Sequence, residues 1–344
     1  TGERRYRGFQ ITAAWQTLTG AEDVLIVNNN AAATLLTLQT LCRGREVIIS
    51  RGQLIEIGGS FRLPEIFQLS GAVLREVGTT NRTRLSDYEQ AIGPETAAIM
   101  HVHPSNYRVV GFVAAPGTGE LAELAHRHRL LAIDDIGSGA LVDVTAFGLP
   151  SEPTFQNSLQ QGADLVLASG DKLLGGPQCG IILGRADLVD PIRRHPLARA
   201  VRVDKLTLAA LSATLNIYLR DAAEREVPTI ALLAAPVDVL RDRAERIRAE
   251  IGEPAPLRIA IGSDTAPVGG GSLPTAELPT VVLHVEHPNR SADELARLLR
   301  CGSIPVFPRV QNDRVLIDLR SVLPEDDSRV ALALRLLVKH TSSE

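Results

Sequence analysis

Lys172 stands in Ser169-Gly170-Asp171-Lys172-Leu173-Leu174-Gly175-Gly176-Pro177-Gln178-Cys179-Gly180, directly after the apolar run Ala163-Asp164-Leu165-Val166-Leu167-Ala168. A buried strand that hands one lysine to a glycine-rich turn holds an amine ready for Schiff-base chemistry. The same pattern also suits a solvated lysine in a strand-to-helix loop. Two upstream residues favour the first reading. Asp134 ends Leu130-Leu131-Ala132-Ile133, and Asn106 lies in His103-Pro104-Ser105-Asn106-Tyr107. An Asn, an Asp and a Lys that close three successive apolar strands converge on the crevice where open α/β sheets bind ligands.

Anion sites are the next chemistry on offer. In Asn28-Asn29-Asn30-Ala31-Ala32-Ala33, asparagines end a strand and open an Ala-rich helix. Asn29, Asn30 and Ala31 there present free N–H groups and the positive end of a helix dipole, which suits a phosphate; an N-cap serving only its own helix is the plainer alternative. Ser169, three residues before Lys172, is a second phosphate candidate. The stretch Arg193–Lys205 is basic, and Arg199 and Arg202, three apart, form a pair suited to bidentate anion binding unless they line a solvated helix face. His101 and His103 have no accompanying acidic or cysteine cluster, so no metal site is expected.

These residues need a scaffold, and the chain supplies one. Apolar strand-like runs at Val24–Val27, Glu46–Ser50, Ala72–Val77, Ala97–His103, Leu130–Ile133 and Leu165–Ala168 alternate with helical stretches near residues 31–42 and 119–129. That rhythm predicts a mainly parallel sheet with helices on both faces. A helix over 206–219 leads out of this large domain, which is expected to span 1–225. Residues 226–344 then read as a smaller α+β domain: a helix over 236–250, a loop over 266–274, a strand over 280–286, a helix over 292–300 and a hairpin from 305–310 to 314–319.

The 344 residues are 44% apolar and 3% aromatic with a formal charge of −4, so no global basic field advertises nucleic acid and any RNA contact must be local. Cys42, Cys179 and Cys301 are odd in number and far apart, which argues against a disulfide framework and for a reduced, cytoplasmic setting. No apolar run approaches the roughly 20 residues of a membrane span. Thr1 in place of Met is expected of a fragment or trimmed product.

The order Asn, Asp, Lys resembles the large domain of the fold-type-I pyridoxal 5'-phosphate enzymes. More specifically, Ser169–Gly180 with 195–211, 27–33, 77–82, 103–112 and 134–143 resembles the bacterial L-seryl-tRNA(Sec) selenium transferases, down to Gly271-Ser272-Leu273-Pro274 and Leu316-Ile317-Asp318-Leu319-Arg320. That resemblance implies a homo-oligomer built from dimers that turns seryl-tRNA(Sec) into selenocysteinyl-tRNA(Sec). The implied route runs through an aminoacrylyl intermediate and uses selenophosphate. It also implies roles: Lys172 carries pyridoxal phosphate, Asp134 pairs with the ring nitrogen, Asn106 reaches the ring hydroxyl or substrate, and Ser169 binds the cofactor phosphate. By the same resemblance Asp171 handles a proton at the serine hydroxyl and Arg199 and Arg202 bind the selenium donor. Arg320 resembles the small-domain arginine that holds a substrate's carboxylate end. The residue covering the ring face is expected within Ser50–Ser60, with Arg51 and Glu56 both open. The family's N-terminal tRNA-binding region and an early active-site arginine do not precede Thr1, and Arg4-Arg5-Tyr6-Arg7-Gly8 matches the family's opening stretch loosely. A related lyase or transferase acting on a small amino acid or amino-sugar acid would use the same chemistry, and a truncated, non-catalytic subunit is a third reading.

Overall fold

A computed structural model describes residues 9–57, 61–252, 255–269 and 271–342. The chain divides into two units, the first comprising residues 1–146, 150–229 and 269–275, the second 147–149, 230–268 and 276–344. The change between them falls at Thr229, a few residues beyond the expected end at 225, and the Gly271-Ser272-Leu273-Pro274 loop belongs to the first unit.

Among the described residues, the first unit is built on a seven-stranded sheet. Its strands are β1 (Asp23–Val27), β2 (Glu46–Ser50), β3 (Val73–Val77), β4 (Thr96–Val102), β5 (Leu131–Gly137), β6 (Leu165–Ser169) and β7 (Gly180–Gly184). The order across the sheet is β1-β7-β6-β5-β4-β2-β3. The β3, β2, β4, β5 and β6 strands run parallel, whereas β7 is antiparallel to both β6 and β1. The parallel core agrees with the alternating pattern. The β7 strand departs from the sequence reading, which leaves Cys179-Gly180 inside a glycine-rich turn.

Both faces of the sheet are buried, and strand alternation sorts the side chains between them. Val47, Ile49, Ala98, Met100, Ile133, Leu165 and Leu167 pack with Leu36 and Leu38 of helix α1 (Asn30–Leu41). Ile48, Ile99 and Ala132 pack on the other face with Leu121, Leu124 and Ala125 of helix α2 (Thr118–Arg127). Each fully buried Leu or Ile contributes roughly 1.5–3 kcal/mol, so a one-residue slip of a strand would forfeit several such contributions and turn its polar residues to the wrong layer.

In the second unit the sheet order is β8 (Arg258–Pro267), β9 (Glu277–Glu286), β11 (Arg314–Asp318) and β10 (Arg309–Gln311), all antiparallel. Its core joins Val281, Leu283, Val285, Val315 and Ile317 to Leu240, Ile247, Leu295 and Leu334. The hairpin is as expected, with a shorter first strand. The β8 strand is unanticipated by sequence because this sheet-edge segment, Arg258-Ile259-Ala260-Ile261-Gly262-Ser263-Asp264, is mostly half-buried or exposed and carries little apolar alternation.

Candidate active site

The Lys172 loop connects β6 to β7 and is closed at its neck, where Gly170 N–H donates to Cys179 O at 2.9 Å. Within it Gly176 N–H donates to Gly170 O (2.9 Å) and Gly175 N–H to Lys172 O (3.0 Å). Leu173 N–H ties the loop to Ser138 O at 3.0 Å, and the Tyr218 hydroxyl donates to Leu174 O at 2.9 Å. Gly175 has φ +68°, a left-handed conformation that glycine adopts without strain. Gly180 passes so close to Asn29 that a Cβ there would overlap the Asn29 carbonyl. The lysine loop and the asparagine turn are therefore packed backbone to backbone.

Lys172 is half-buried, and burial pushes its ammonium below the usual lysine value against the pull of Asp135, Asp171 and Glu152. An amine depressed in this way is a better nucleophile and base near neutrality. A Cβ on Gly137 would lie 3.9 Å from Lys172 Nζ and 3.1 Å from Ser105 Oγ, and one on Gly271 would lie 3.6 Å from the Lys172 chain. The amine thus sits beside the C-terminal ends of β4 and β5.

The two adjacent aspartates of β5 face opposite layers. Asp134 follows Ala132 onto the α2 side, where His101 Nδ1 lies 2.8 Å from Oδ1 and the Thr118 hydroxyl 3.1 Å from Oδ2. Burial raises this carboxyl, but His101, Ser158 and Thr118 outweigh it and hold the carboxylate below its ordinary value. Asp135 follows Ile133 onto the α1 side. Its Oδ1 accepts from Asn30 Nδ2 (2.9 Å) and Gly137 N–H (3.2 Å), its Oδ2 from the Thr34 hydroxyl (3.2 Å). Burial pushes Asp135 up to about 6 despite those bonds, and Lys172 is the cation that acts on it. The sequence reading assigned the ring nitrogen to Asp134. Of the two, Asp135 is the one that acts electrostatically on Lys172, while Asp134 is held by His101 and Thr118.

Several other expected residues come together here and others do not. Asn29 caps α1, its side-chain oxygen accepting from Ala32 N–H at 2.8 Å. That leaves the N–H groups of Asn30 and Ala31 in the open first turn of the helix, while the Asn30 side chain is committed to Asp135. Asn106 lies in the loop after β4, donating to Glu56 O at 3.0 Å, with its side-chain oxygen buried and unpartnered. Ser169 donates to the Asp171 carboxylate at 2.5 Å. Arg199 is exposed in the short helix Pro196–Ala200. Arg202 bridges Val27 through its backbone while Asn28 N–H donates to Val201 O at 2.9 Å. The arginine segment is therefore fastened to the turn that opens α1.

Arg51 and Glu56 are taken by other partners: Arg51 by Glu76 and the Gly78 carbonyl, Glu56 by Arg62 at 2.7 Å. Gly58–Ser60, in the same stretch, lie outside the described residues, as does Arg4-Arg5-Tyr6-Arg7-Gly8. Arg320, expected at a substrate's carboxylate end, has its guanidinium bonded to backbone carbonyls. It is 7% exposed, and its guanidinium donates to Pro279 O (3.1 and 2.6 Å), Leu232 O (2.9 Å) and Leu233 O (3.2 Å). Its fork is spent on backbone carbonyls of the second unit. Sequence reasoning passed over Glu152, which is buried with Oε2 3.3 Å from His103 Nε2. Only an acidic residue in a Pro-flanked loop, Ser151-Glu152-Pro153, marked it.

The described residues fit pyridoxal phosphate. A buried carboxylate faces a depressed lysine, a helix start offers unspent N–H groups beside them, and the oxygens of Asn106 and Ser138 are buried without partners. The chain is also similar to known proteins. Residues 1–323 match the family model of L-seryl-tRNA selenium transferase. Over 341 residues the chain is 47% identical to the L-seryl-tRNA(Sec) selenium transferase of Alkaliphilus metalliredigens, covering 98% of this chain and 73% of that protein. The Moorella thermoacetica protein of the same name is 50% identical over 336 residues, covering 97% and 72%. Among solved structures, D-glucosaminate-6-phosphate ammonia-lyase superposes with a TM-score of 0.68 at 19% identity, covering 99% of this chain and 89% of that one. The fold is that of the type-I pyridoxal phosphate enzymes, and the chain belongs to the L-seryl-tRNA selenium transferase family.

Proposed function

We propose a division of labour among the residues around Lys172 for the reaction of this family, the pyridoxal phosphate-dependent conversion of seryl-tRNA(Sec) to selenocysteinyl-tRNA(Sec). Bound at this site, pyridoxal phosphate supplies an electron sink for bond breaking at the seryl Cα. Lys172 anchors it and, once its amine is released, removes the Cα proton at Nζ. Asp135 holds a proton at the ring nitrogen, and Asn30 and Thr34 hold Asp135. The unpartnered Asn106 oxygen accepts from the ring hydroxyl. The Asn30 and Ala31 N–H groups, with Ser169, receive the cofactor phosphate. Asp171, exposed beside the lysine, delivers a proton to the serine hydroxyl so that it leaves as water. Arg199 and Arg202 bind selenophosphate through charge-assisted bonds.

The observation that carries this reading is that Lys172 Nζ lies beside Gly137, two residues beyond the buried Asp135 on which it acts electrostatically. Arg320 adds to it. A substrate esterified to tRNA presents no free α-carboxylate, and an arginine already consumed by carbonyls leaves no clamp for one. Exposed Val110, Phe112 and Val113 support association into a homo-oligomer of dimers, and no described helix is long and apolar enough to cross a membrane. We place the work in the cytoplasm.

The test is Lys172→Ala in the full chain. The borohydride-reducible adduct of the cofactor should vanish; a covalent adduct retained at wild-type level would overturn the assignment.

A further inference from the structure

Ser105 and Lys172 border one small space without bonding each other. Gly137 ends β5 with φ +63°, a conformation that leaves the position to glycine. A Cβ built there would lie 3.1 Å from Ser105 Oγ and 3.9 Å from Lys172 Nζ, so the missing side chain opens a niche that both the hydroxyl and the amine line. Among the described residues, neither of those two atoms has a hydrogen-bond partner. Ser105 is 2% exposed and its backbone is fixed. Its N–H donates to His103 O at 2.8 Å, and the His103 N–H donates to Asp135 O at 2.9 Å, which ties the end of β4 to β5. A Cβ on Gly271 would lie 3.6 Å from both Cδ and Cε of Lys172, so backbone covers the lysine's methylenes while its nitrogen borders the niche.

A group on which Lys172 acts must come within reach of Nζ, and whatever enters the niche comes within reach of Ser105 as well. In the reaction proposed above the entering group is a seryl ester. Its amino group is committed to the cofactor and its β-hydroxyl departs. The ester carbonyl remains, an acceptor that gains negative charge as Lys172 removes the neighbouring Cα proton. A neutral ester suits a neutral donor, since a hydroxyl offers one O–H without the desolvation cost of a buried cation. The arginine expected to read a carboxylate, Arg320, is already bonded to backbone carbonyls. We propose that Ser105 binds the substrate's ester carbonyl, its hydroxyl donating to that oxygen and doing so more strongly as charge builds there. A hydroxyl that reads an ester, where an arginine would read a carboxylate, selects an aminoacyl ester over the free amino acid.

This inference rests on Lys172 being the cofactor's anchor and on an esterified substrate, and the test tells the failures apart. Serine methyl ester and free serine are titrated separately into the full-chain holoprotein, wild type and Ser105→Ala, while the visible absorbance of bound cofactor reports the apparent Kd. Wild type should prefer the ester. Ser105→Ala should weaken ester binding roughly 3- to 10-fold, as expected from losing one neutral hydrogen bond, and leave serine within about twofold. At saturating ester, loss of the Cα hydrogen to deuterated solvent, followed by NMR, should slow by about 10- to 100-fold, because the bond strengthens as charge develops. The borohydride-reducible adduct at Lys172 should stay at wild-type level. A wild type without preference for the ester overturns the proposal, as does a Ser105→Ala variant whose affinities for both ligands are unchanged or fall equally. Should Ser105→Ala fail to fold, Ser105→Cys carries the test: its weaker S–H donor should give the same selective loss, and unchanged ester affinity overturns the proposal. Failure of the wild type itself to form a reducible adduct at Lys172 would instead overturn the anchor assignment and this inference with it.

Discussion

Asn30 Nδ2 lies 2.9 Å from Asp135 Oδ1, joining residues 105 positions apart in the chain. The bond ties the first turn of α1 to the end of β5, so the helix start and the buried carboxylate are set by one contact. A hydrogen bond to a charged group is worth about 1.5–3 kcal/mol, enough to hold the carboxylate in one orientation.

The one-residue distinction between Asp134 and Asp135 has a direct consequence. Asp135→Asn should retain the cofactor but lower turnover by about one to two orders of magnitude, since a charge-assisted bond to the ring nitrogen is lost. Asp134→Asn should leave turnover within about threefold and instead cost roughly 1–3 kcal/mol of stability by uncoupling His101. Steady-state rates and melting temperatures of the two variants decide it. The reverse pattern would return the ring contact to Asp134.

Stability should respond to pH through Asp135. Burial raises its folded pKa above that of the unfolded chain, so its contribution is complete below the ordinary Asp value and is lost as pH rises through about 6. At about 1.4 kcal/mol per pH unit, the cofactor-free protein gives up roughly 2–3 kcal/mol by neutrality. Asp135→Asn should remove that loss. Thermal unfolding of the cofactor-free forms should show variant and wild type alike in acid, with the variant more stable at neutral pH. Divergence in acid instead would contradict the sign.

Arg199→Ala and Arg202→Ala should slow selenophosphate-dependent product formation by about 10- to 100-fold, as expected from losing charge-assisted contacts to an anion. Loss of water from the seryl ester should change much less. Equal loss in both half-reactions would mean that these arginines hold the segment Pro196–Arg202 or the tRNA instead.

Arg320→Lys should act on folding. A lysine cannot reproduce the fork that serves the Pro279, Leu232 and Leu233 carbonyls, and leaving buried carbonyls unserved costs roughly 2–3 kcal/mol. The melting temperature should fall while kcat/KM of the folded enzyme stays within about threefold. A selective loss of aminoacyl-tRNA turnover at unchanged stability would restore a substrate role.

Much of the fold was legible because apolar runs of strand length alternate with helical ones, and the Lys172 loop announced itself through its glycines. Three things were not legible, each for a physical reason. In Ala132-Ile133-Asp134-Asp135-Ile136 both aspartates lie in a strand buried on both faces, so hydropathy cannot say which layer each enters; only the register against β4 and the positions of α1 and α2 do. Arg320 follows an apolar strand in a short turn, the place where ligand-binding arginines are found, and its carbonyl partners Leu232 and Leu233 lie 88 and 87 positions away. Glu152 and His103 are likewise joined only by the fold, and neither local sequence marks the other.

The closed neck of the Lys172 loop has a bearing on how the lysine can work more than once. With Gly170 and Cys179 bonded across the base, Leu173 and Leu174 tied to neighbouring segments, and three glycines taking the sharp bends, the chain entropy of closing residues 170–179 is spent at folding and not at each turnover. Only the four methylenes of the side chain remain to swing. Lys172 therefore behaves as a short tether on a fixed post: releasing the cofactor and recapturing it requires a few rotamer changes, and recapture draws on a high local concentration of amine.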